Sequence, residues 1–311
     1  MKKYGLIGNP VKGSKSPLLF NAAYRDARQE DGSEYSYDLI ENEDFEDAWK
    51  SFLDGYDSVN ITAPFKELAF RKMTELAEKG EGFISGPAAR IGATNLVVKT
   101  DKGIEAHNSD FTGIIMAVAE AYYPGIVEEF IREFGGRFYI KVHQFFKMNL
   151  EAKFGQLPQA LIVGCGGAGK AAAIAAAEMG FGTVLMNRTL SKAQEIAADN
   201  PQYGFIPDPV SDFREAVKEC DLIIYTLPMA LPEIAGFSAD DFIMDQGRKV
   251  VLEANYRNPS FNEDTQFKLS SAEGTYIHGH RWLLYQALTG YGLMTGRTPD
   301  LAAMEAAIKG L

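Results

Sequence analysis

A lysine able to give up a proton and a carboxylate able to hold it stand in two short polar clusters of this chain. One cluster reads Asn60-Ile61-Thr62-Ala63-Pro64-Phe65-Lys66 and the other Asn108-Ser109-Asp110-Phe111-Thr112-Gly113. An ammonium at hydrogen-bond distance stabilises negative charge arriving on an oxygen and can deliver the proton it needs. Two hydroxyls at alternate positions, Ser14 and Ser16 in Gly13-Ser14-Lys15-Ser16-Pro17, can face one carboxylate. Gly92-Ala93-Thr94-Asn95 adds a side-chain amide. Each residue also has an ordinary structural explanation. Ser16 before Pro17 is a good helix cap, Asp110 stands where a cap would stand, and an isolated lysine is usually a surface lysine.

A third cluster is built for backbone contact. Val163-Gly164-Cys165-Gly166-Gly167-Ala168-Gly169 follows an apolar strand and opens an alanine-rich helix. Glycines at this spacing allow a tight turn and close approach, and the helix N-terminus then offers free N–H groups to a pyrophosphate. Gly164, Gly166, Gly167 and Ala168 are therefore candidate dinucleotide-binding residues. The end of the next strand reads Asn187-Arg188-Thr189, with Lys192 one helical turn on. NAD enzymes carry a carboxylate there for the ribose hydroxyls, whereas a guanidinium suits a 2′-phosphate through charge and bidentate geometry. NADP is therefore expected as the cofactor rather than NAD.

These clusters need a scaffold that gathers strand ends. Residues 4–8, 35–40, 57–61 and 94–98 read as strands, and 17–27, 43–53 and 66–77 show helical spacing. Such alternation predicts a parallel or mixed sheet covered by helices. A second alternation begins near Gln159. Residues 160–163, 183–187, 222–225 and 249–253 are apolar enough for buried parallel strands, with helices over 168–179 and 191–198. The chain closes on helices over 282–288 and 299–308, the latter opened by Thr298 as its cap.

Residues 122–155 lie between the two alternations. Ile126, Val127, Phe130, Ile131 and Phe134 repeat at helical spacing, and Gly135-Gly136 breaks the pattern. Phe138, Ile140 and Val142 then alternate, before Phe145, Phe146, Leu150 and Phe154 resume a helical stripe. The expectation is a helical insertion with a small core of its own and no catalytic group. A partner-binding surface is the alternative.

Bulk properties exclude several classes. The 311 residues suffice for two modest domains or one large one, and 46% apolar with 23% charged residues is ordinary globular composition. A net charge of −11 argues against a nucleic-acid backbone as partner. Only Cys165 and Cys220 are present, which excludes a disulfide framework. His107, His143, His278 and His280 show no zinc spacing, so no metal site is expected. The apolar run after Lys2 and Lys3 breaks at Asn9-Pro10, too early for a signal peptide. The segment 171–186 carries Glu178 and several glycines, unlike a membrane span. A reduced, cytoplasmic setting is expected.

The polar clusters, in this order, resemble the shikimate dehydrogenase family. Its motifs include S-x-S-P, N-x-T-x-P-x-K, G-A-x-N and N-[TS]-D-x-x-G, which fall here on Ser14–Pro17, Asn60–Lys66, Gly92–Asn95 and Asn108–Gly113. Its NADP-using members carry G-x-G-G-A followed by N-R-T-x-x-K, and this chain reads Asn187-Arg188-Thr189-Leu190-Ser191-Lys192. Near the C-terminus the family has G-x-x-M-L-x-x-Q, where Gly279 to Gln286 reads GHRWLLYQ. The resemblance covers nearly the whole chain except roughly 122–155.

The resemblance implies an α/β fold: an N-terminal α/β substrate domain plus a Rossmann-type NADP-binding domain, with a cleft between them and hinge closure. Residues 1–113 with 280–311 are expected to bind substrate, and 114–279, including the insertion, to bind NADP. The implied reaction is reversible NADPH-dependent reduction of 3-dehydroshikimate to shikimate, a step of aromatic amino acid biosynthesis. Lys66 would be catalytic, with Asp110 holding it and bonding a substrate hydroxyl. A nearby carboxylate raises a lysine pKa and burial lowers it, so the two effects oppose. Ser14 and Ser16 would take the substrate carboxylate. Thr62, Asn95 and Gln286 would read ring hydroxyls, Tyr256 would add a contact, and Gly279 would face the cofactor. Partners would be small molecules only, with the chain a monomer or homodimer.

Four departures from the family pattern stand out. Phe20 replaces the usual His three residues beyond the S-x-S-P proline. Tyr225-Thr226-Leu227-Pro228-Met229 replaces N-A-T-S-x-G-M. Glu253-Ala254-Asn255-Tyr256-Arg257-Asn258-Pro259 has one residue more than D-x-x-Y-x-P, and Trp282 replaces a Met. They bear on cofactor preference and rate more than on substrate class. The alternatives are a quinate or amino-shikimate dehydrogenase, or a non-catalytic NADP- or shikimate-binding paralogue. The intact Lys66 and Asp110 argue against the last; the altered 225–229 segment argues for it.

Overall fold

The computed structural model describes residues 1–32, 34–154, 157–245 and 247–309, without the side chains of 25–31 and 150–154. The chain divides into two compact units. One comprises Met1–Gly113, Glu128–Tyr139 and Leu283–Leu311; the other comprises Ile114–Val127 and Ile140–Trp282.

The first unit opens with the expected alternation: β1 (Lys2–Gly8), α1 (Ser16–Asp31), β2 (Tyr35–Glu41), α2 (Phe45–Gly55), β3 (Ser58–Ile61) and α3 (Lys66–Glu78). Local chemistry explains the helices. Asp44 caps α2 by accepting from Asp47 N, and α2 buries Phe45, Ala48, Trp49 and Phe52 along one face. These residues join Val59, Ile61, Phe65, Ala69, Met73, Val97 and Ala106 in one core. There follow β4 (Gly82–Ile84), α4 (Gly86–Ile91), β5 (Leu96–Thr100), β6 (Gly103–His107) and α5 (Ser109–Tyr122). The hydrophobic pattern does not reveal β4, α4 or β6, because each is short and half-exposed in part.

The sheet order is β2-β1-β3-β5-β6-β4. Strands β1, β2 and β3 run parallel, while β5 runs antiparallel to both β3 and β6. That reversal matters for chemistry. It brings the start of β5 to the same edge as the ends of β1, β3 and β6, and all four polar clusters of this unit lie there.

Within 122–155 the described residues are helical, as expected. They form α6 (Ile126–Phe134), a short 3-10 turn (Gly135–Arg137) and α7 (Phe138–Phe154). The alternation at Phe138, Ile140 and Val142 is helical: Phe138, Val142 and Phe146 are buried at every fourth position, and Ile140 is exposed. Phe146 packs against Tyr122 and Phe181 in the second unit, with ring centroids 5.9 and 6.4 Å apart. Residues 128–139 group instead with the first unit, where Gly136 lies against the backbone of Gly292 and Arg297. In this grouping the insertion is shared between the two units. The side chains of Leu150 and Phe154, and residue 155, lie outside the described residues.

The second unit contains β7 (Gln159–Val163), α8 (Gly167–Met179), β8 (Gly182–Asn187), α9 (Leu190–Asp199), β9 (Ile206–Pro209), α10 (Phe213–Glu219), β10 (Leu222–Tyr225), β11 (Val250–Glu253), α11 (Glu263–Ser271) and β12 (Thr275–Ile277). Its six strands are all parallel in the order β12-β11-β10-β7-β8-β9. From the opposite edge this is the doubly wound order 3-2-1-4-5-6, with its switch point between β7 and β10. Lys249 is fully buried before β11 and donates to the carbonyls of Val217, Lys218 (3.2 Å) and Cys220 (2.7 Å), closing the end of α10. Burial pulls its pKa down to about 8.

The C-terminal helices are α12 (Gly279–Thr295) and α13 (Leu301–Ile308). The cap of α13 is Asp300, which accepts from Ala303 N at 2.9 Å, and not Thr298 as the sequence suggests. Thr298 stands outside the first turn and cannot reach its N–H groups. In the first unit α13 packs along α1, and Tyr291 of α12 joins Tyr4, Tyr24 and Tyr35 in an aromatic cluster. No helix among the described residues is long and apolar enough to cross a membrane.

Candidate active site

Lys66 opens α3 straight after the β3 turn, and Asp110 lies in the first turn of α5 straight after β6. Their side chains meet: Lys66 Nζ donates to Asp110 Oδ2 at 2.5 Å, with the carboxylate almost wholly buried. The capping role that Asp110 might have filled belongs to Asn108, whose Oδ1 accepts from Phe111 N at 3.3 Å. Asp110 is thereby left for the lysine.

Asn95 is held just as firmly. Its Oδ1 accepts from Ser109 N at 2.7 Å, and its backbone carbonyl accepts from Ile61 N at 2.8 Å. The amide therefore lies between the β3 and β6 ends. Ser14 Oγ donates to Ser16 Oγ at 3.2 Å and accepts from Ser16 N, so the two hydroxyls stand side by side. Glu41 fixes the loop before them by accepting from Val11 N and Lys12 N at 2.8 and 3.0 Å. Thr62 N donates to Ile7 O, which sets Thr62 beside the end of β1. Gln286 lies on α12 against Gly113, where a Cβ would stand 2.8 Å from its backbone nitrogen. A Thr112–Thr289 hydroxyl bond of 3.0 Å locks the same two helices.

Two residues of this cluster escape sequence reasoning as site candidates. Tyr37 on β2 is buried and donates to Asn60 Oδ1 at 2.8 Å. Asn60 Nδ2 in turn donates to Asn95 O at 3.3 Å. A lone tyrosine in a strand carries no motif; only the sheet order brings it to this edge.

The glycine loop sits at the switch point of the second unit. Gly164 adopts φ +106°, a conformation that favours glycine, and Gly169 packs so closely that a Cβ would meet Gly164 O. At Gly166 a Cβ would meet no atom within 4 Å. Gly167 and Ala168 form the first turn of α8, whose leading N–H groups have no partner within the helix. Asn187 Oδ1 accepts from Cys165 N at 3.3 Å while its Nδ2 donates to Thr189 O at 3.0 Å, tying the loop to the Arg188 segment. Arg188, Thr189 and Lys192 are exposed. Burial pushes the Cys165 thiol up to about 11, opposed by the charges of Lys192 and Lys170, so both cations stand near the loop. Lys170 lies outside the set read from sequence. A cradle that a methyl group would occupy, a free helix N-terminus and flanking cations fit a dinucleotide with an additional phosphate.

The altered 225–229 segment is tied down by hydrogen bonds. Tyr225 OH donates to Met229 O at 2.7 Å and accepts from Leu231 N at 3.0 Å, and Thr226 Oγ1 donates to Val163 O at 2.9 Å against Gly164. Gly279 is needed for space, since a Cβ would meet Ala254 O at 2.6 Å. Glu253 is buried and accepts from Ser260 N, Phe261 N and Tyr276 OH at 2.6, 3.2 and 2.7 Å, closing the enlarged loop that bears Tyr256. Tyr256 belongs to the second unit, where its ring lies 5.0 Å from that of His280, and is not grouped with Ser14, Lys66 or Asn95. Among the described residues no group of three or more His, Cys, Asp or Glu is placed to hold a metal ion.

A doubly wound unit with a glycine loop and a second unit with a lysine–carboxylate pair are the parts that a nicotinamide-dependent dehydrogenase acting on a CH–OH group requires. Comparison narrows the class. A profile described as the shikimate dehydrogenase substrate binding domain matches residues 6–97, and one described as shikimate / quinate 5-dehydrogenase matches 149–234. The shikimate dehydrogenase (NADP(+)) of Halobacterium salinarum is 30% identical, over 99% of this chain and 99% of that protein. Its counterpart in Archaeoglobus fulgidus is 28% identical over 99% and 98%. The chain belongs to the shikimate dehydrogenase family, and is an NADP-dependent oxidoreductase. Solved structures agree on the fold. Thermus thermophilus shikimate 5-dehydrogenase, in complex with NADP(H) and shikimate, gives a TM-score of 0.72 at 23% identity, covering 99% and 98% of the two chains. Corynebacterium glutamicum quinate dehydrogenase, in complex with NAD, gives 0.74 at 20%, covering 100% and 99%.

Proposed function

We propose that the protein reduces 3-dehydroshikimate to shikimate with NADPH, reversibly, using Lys66 as proton donor and acceptor. The observation that carries this reading is the Lys66–Asp110 contact of 2.5 Å, set among hydroxyls and amides at one sheet edge. When bound, NADPH supplies the hydride equivalent for the ring carbonyl carbon. The Lys66 ammonium stabilises the charge that gathers on the carbonyl oxygen and passes its proton to that oxygen. In the reverse direction neutral Lys66 removes the proton from the hydroxyl. Asp110 holds the lysine in line and accepts from a substrate hydroxyl. Ser14 and Ser16 donate to the substrate carboxylate, while Thr62, Asn95 and Gln286 read the ring hydroxyls and Tyr256 adds a contact.

On this reading residues 1–113 with 280–311 bind substrate and 114–279 bind NADP through Gly164, Gly166, Gly167, Ala168, Asn187, Arg188, Thr189, Lys192 and Gly279. One chain carries both sets, so a monomer or homodimer suffices. A reducing cytoplasm suits the free thiols of Cys165 and Cys220. The test is the change in absorbance as NADPH or NADH is oxidised with 3-dehydroshikimate and with 3-dehydroquinate. NADPH with 3-dehydroshikimate should give the highest kcat/KM. Preference for 3-dehydroquinate would make the chain a quinate dehydrogenase, and binding without turnover a non-catalytic paralogue.

A further inference from the structure

Strands β7 and β10 flank the switch point, so the loops leaving their carboxyl ends wall the crevice where an open α/β sheet takes its ligand. The β7 wall is the glycine loop. The β10 wall is Thr226–Leu231, where this chain has lost the family's N-A-T-S side chains. Thr226 fixes its start: the backbone N–H and Oγ1 both donate to Val163 O, at 2.8 and 2.9 Å. Pro228, Met229 and Ala230 are then exposed, yet two side chains hold this stretch. The Tyr225 ring is wholly buried, its centroid 5.6 Å from that of Phe261 and 6.3 Å from that of Phe213. From that anchor its hydroxyl donates to Met229 O at 2.7 Å and accepts from Leu231 N at 3.0 Å. Burial raises the phenol to about 12, so it keeps its proton throughout the neutral range. Asn255, in the loop after β11, donates through Nδ2 to Pro228 O at 3.2 Å and to Asn258 O at 2.7 Å. Its Oδ1 accepts from Arg257 N and Asn258 N, which fixes the orientation of the amide.

Strand order says what this wall serves. Arg188 follows β8 on one side of β7, and Thr226–Leu231 follows β10 on the other. A dinucleotide carries its pyrophosphate in the middle. With the pyrophosphate on the glycine loop and the 2′-phosphate of the adenosine half at Arg188, the nicotinamide half is directed over β10. We propose that Tyr225 and Asn255 are positioning residues for the nicotinamide half of NADP, acting through the backbone of Pro228–Leu231, which they hold as a fixed floor. Because the floor is ordered beforehand, the cost of ordering it does not fall on binding. The proposal rests on the reading above, in which the glycine loop and Arg188 take NADP.

The experiment measures, by isothermal titration calorimetry, the Kd of NADP and of adenosine 2′,5′-bisphosphate, which keeps the adenosine and its 2′-phosphate but lacks the nicotinamide half. Tyr225→Phe deletes one oxygen and keeps the ring in its core. It should weaken NADP about tenfold, which is about 1.4 kcal/mol, and leave adenosine 2′,5′-bisphosphate within about twofold of wild type. In steady-state kinetics its KM for NADPH should rise while KM for 3-dehydroshikimate stays within about twofold. Asn255→Ala releases Pro228 O without touching the buried ring. It should give the same split between the two probes at about threefold, and it decides the matter alone if Tyr225→Phe does not melt cooperatively. Equal weakening of both probes overturns the proposal, because a general loosening of the unit acts on both alike. So does NADP binding within about twofold of wild type in the variants that fold. A wild type that binds neither probe instead removes the cofactor-loop reading itself, and the proposal with it.

Discussion

The polar edge of the first unit and the glycine loop of the second solve two recognition problems by opposite means. Around Lys66 and Asp110 the ligand-facing groups are side chains, several of them buried and each bonded to another: Ser14 to Ser16, Asn60 to Asn95, Asn95 to Ser109. Around Gly164 side chains are withheld, the backbone turns at φ +106°, and the cations Arg188 and Lys192 stand exposed at the margin. A small polyhydroxylated acid offers many hydroxyls that differ only in position, and discriminating them requires donors and acceptors held in place. Such sites reject analogues strongly because unmatched partners are left unpaired. A pyrophosphate is instead a diffuse anion that backbone N–H groups serve well. The first region should therefore be broken by removing atoms, and the second by adding them.

Removal at Lys66 should have the largest effect. Lys66→Ala is expected to lower kcat by about a thousandfold or more, with KM for substrate changed only a few-fold, because the interaction is made in the transition state. Lys66→Gln, which keeps an N–H for buried Asp110, checks that the loss is chemical and not a consequence of an unpaired carboxylate. Near-normal turnover with only a raised KM would make Lys66 a binding residue and erase the contrast.

Addition in the glycine loop should separate two roles. Gly169→Ala forces a Cβ against Gly164 O and should destabilise the second unit by about 1–3 kcal/mol, read as a lower melting temperature. Gly166→Ala meets no protein atom, so the fold should melt normally while Kd for NADP rises about tenfold or more. If Gly166→Ala binds NADP as well as wild type, the loop is a packing feature and not a cradle.

Arg188 tests the margin of the same site. Arg188→Ala should reduce the ratio of kcat/KM for NADP over NAD by about ten- to a hundredfold, in keeping with one charge-assisted bidentate contact. A wild type that favours NAD, or a ratio that the substitution leaves untouched, contradicts the assignment.

The smallest effect concerns a side-chain network in the second unit that serves stability alone. Asp241 is buried, and burial would raise its pKa; the Arg214 guanidinium at 2.7–2.8 Å and the N–H and hydroxyl of Ser238 outweigh that and hold it at about 2. Because the folded value lies below the unfolded one, the stabilisation is full above about pH 4 and is lost as pH falls toward 2. Asp241→Asn should cost about 1–2 kcal/mol at neutral pH, a gap that closes in acid, with Kd for NADP unchanged. Urea melts across that range, with a binding assay, read both outcomes.

Much of this design is set down locally in the chain. Apolar runs bounded by polar clusters mark β1, β3, β7 and β8; Gly164 to Gly169 and Asn187 to Lys192 announce their chemistry by spacing; Lys66 and Asp110 lie in recognisable segments. Those signals are legible because they depend on neighbours along the chain. Several features depend on neighbours in space. Tyr37 is one strand residue among many until the order β2-β1-β3 sets it over Asn60. Asp110 could have capped α5, and only the position of Asn108 leaves it free to meet Lys66. Thr298 reads as the cap in sequence, but it is Asp300 that reaches Ala303 N. The 122–155 stretch shows its helices in sequence but not its allegiance, because an apolar face records that it must be buried and not against what. Periodicity encodes which way a side chain points from its own backbone. The partner it meets is decided by strand order, helix docking and the few ångströms between them.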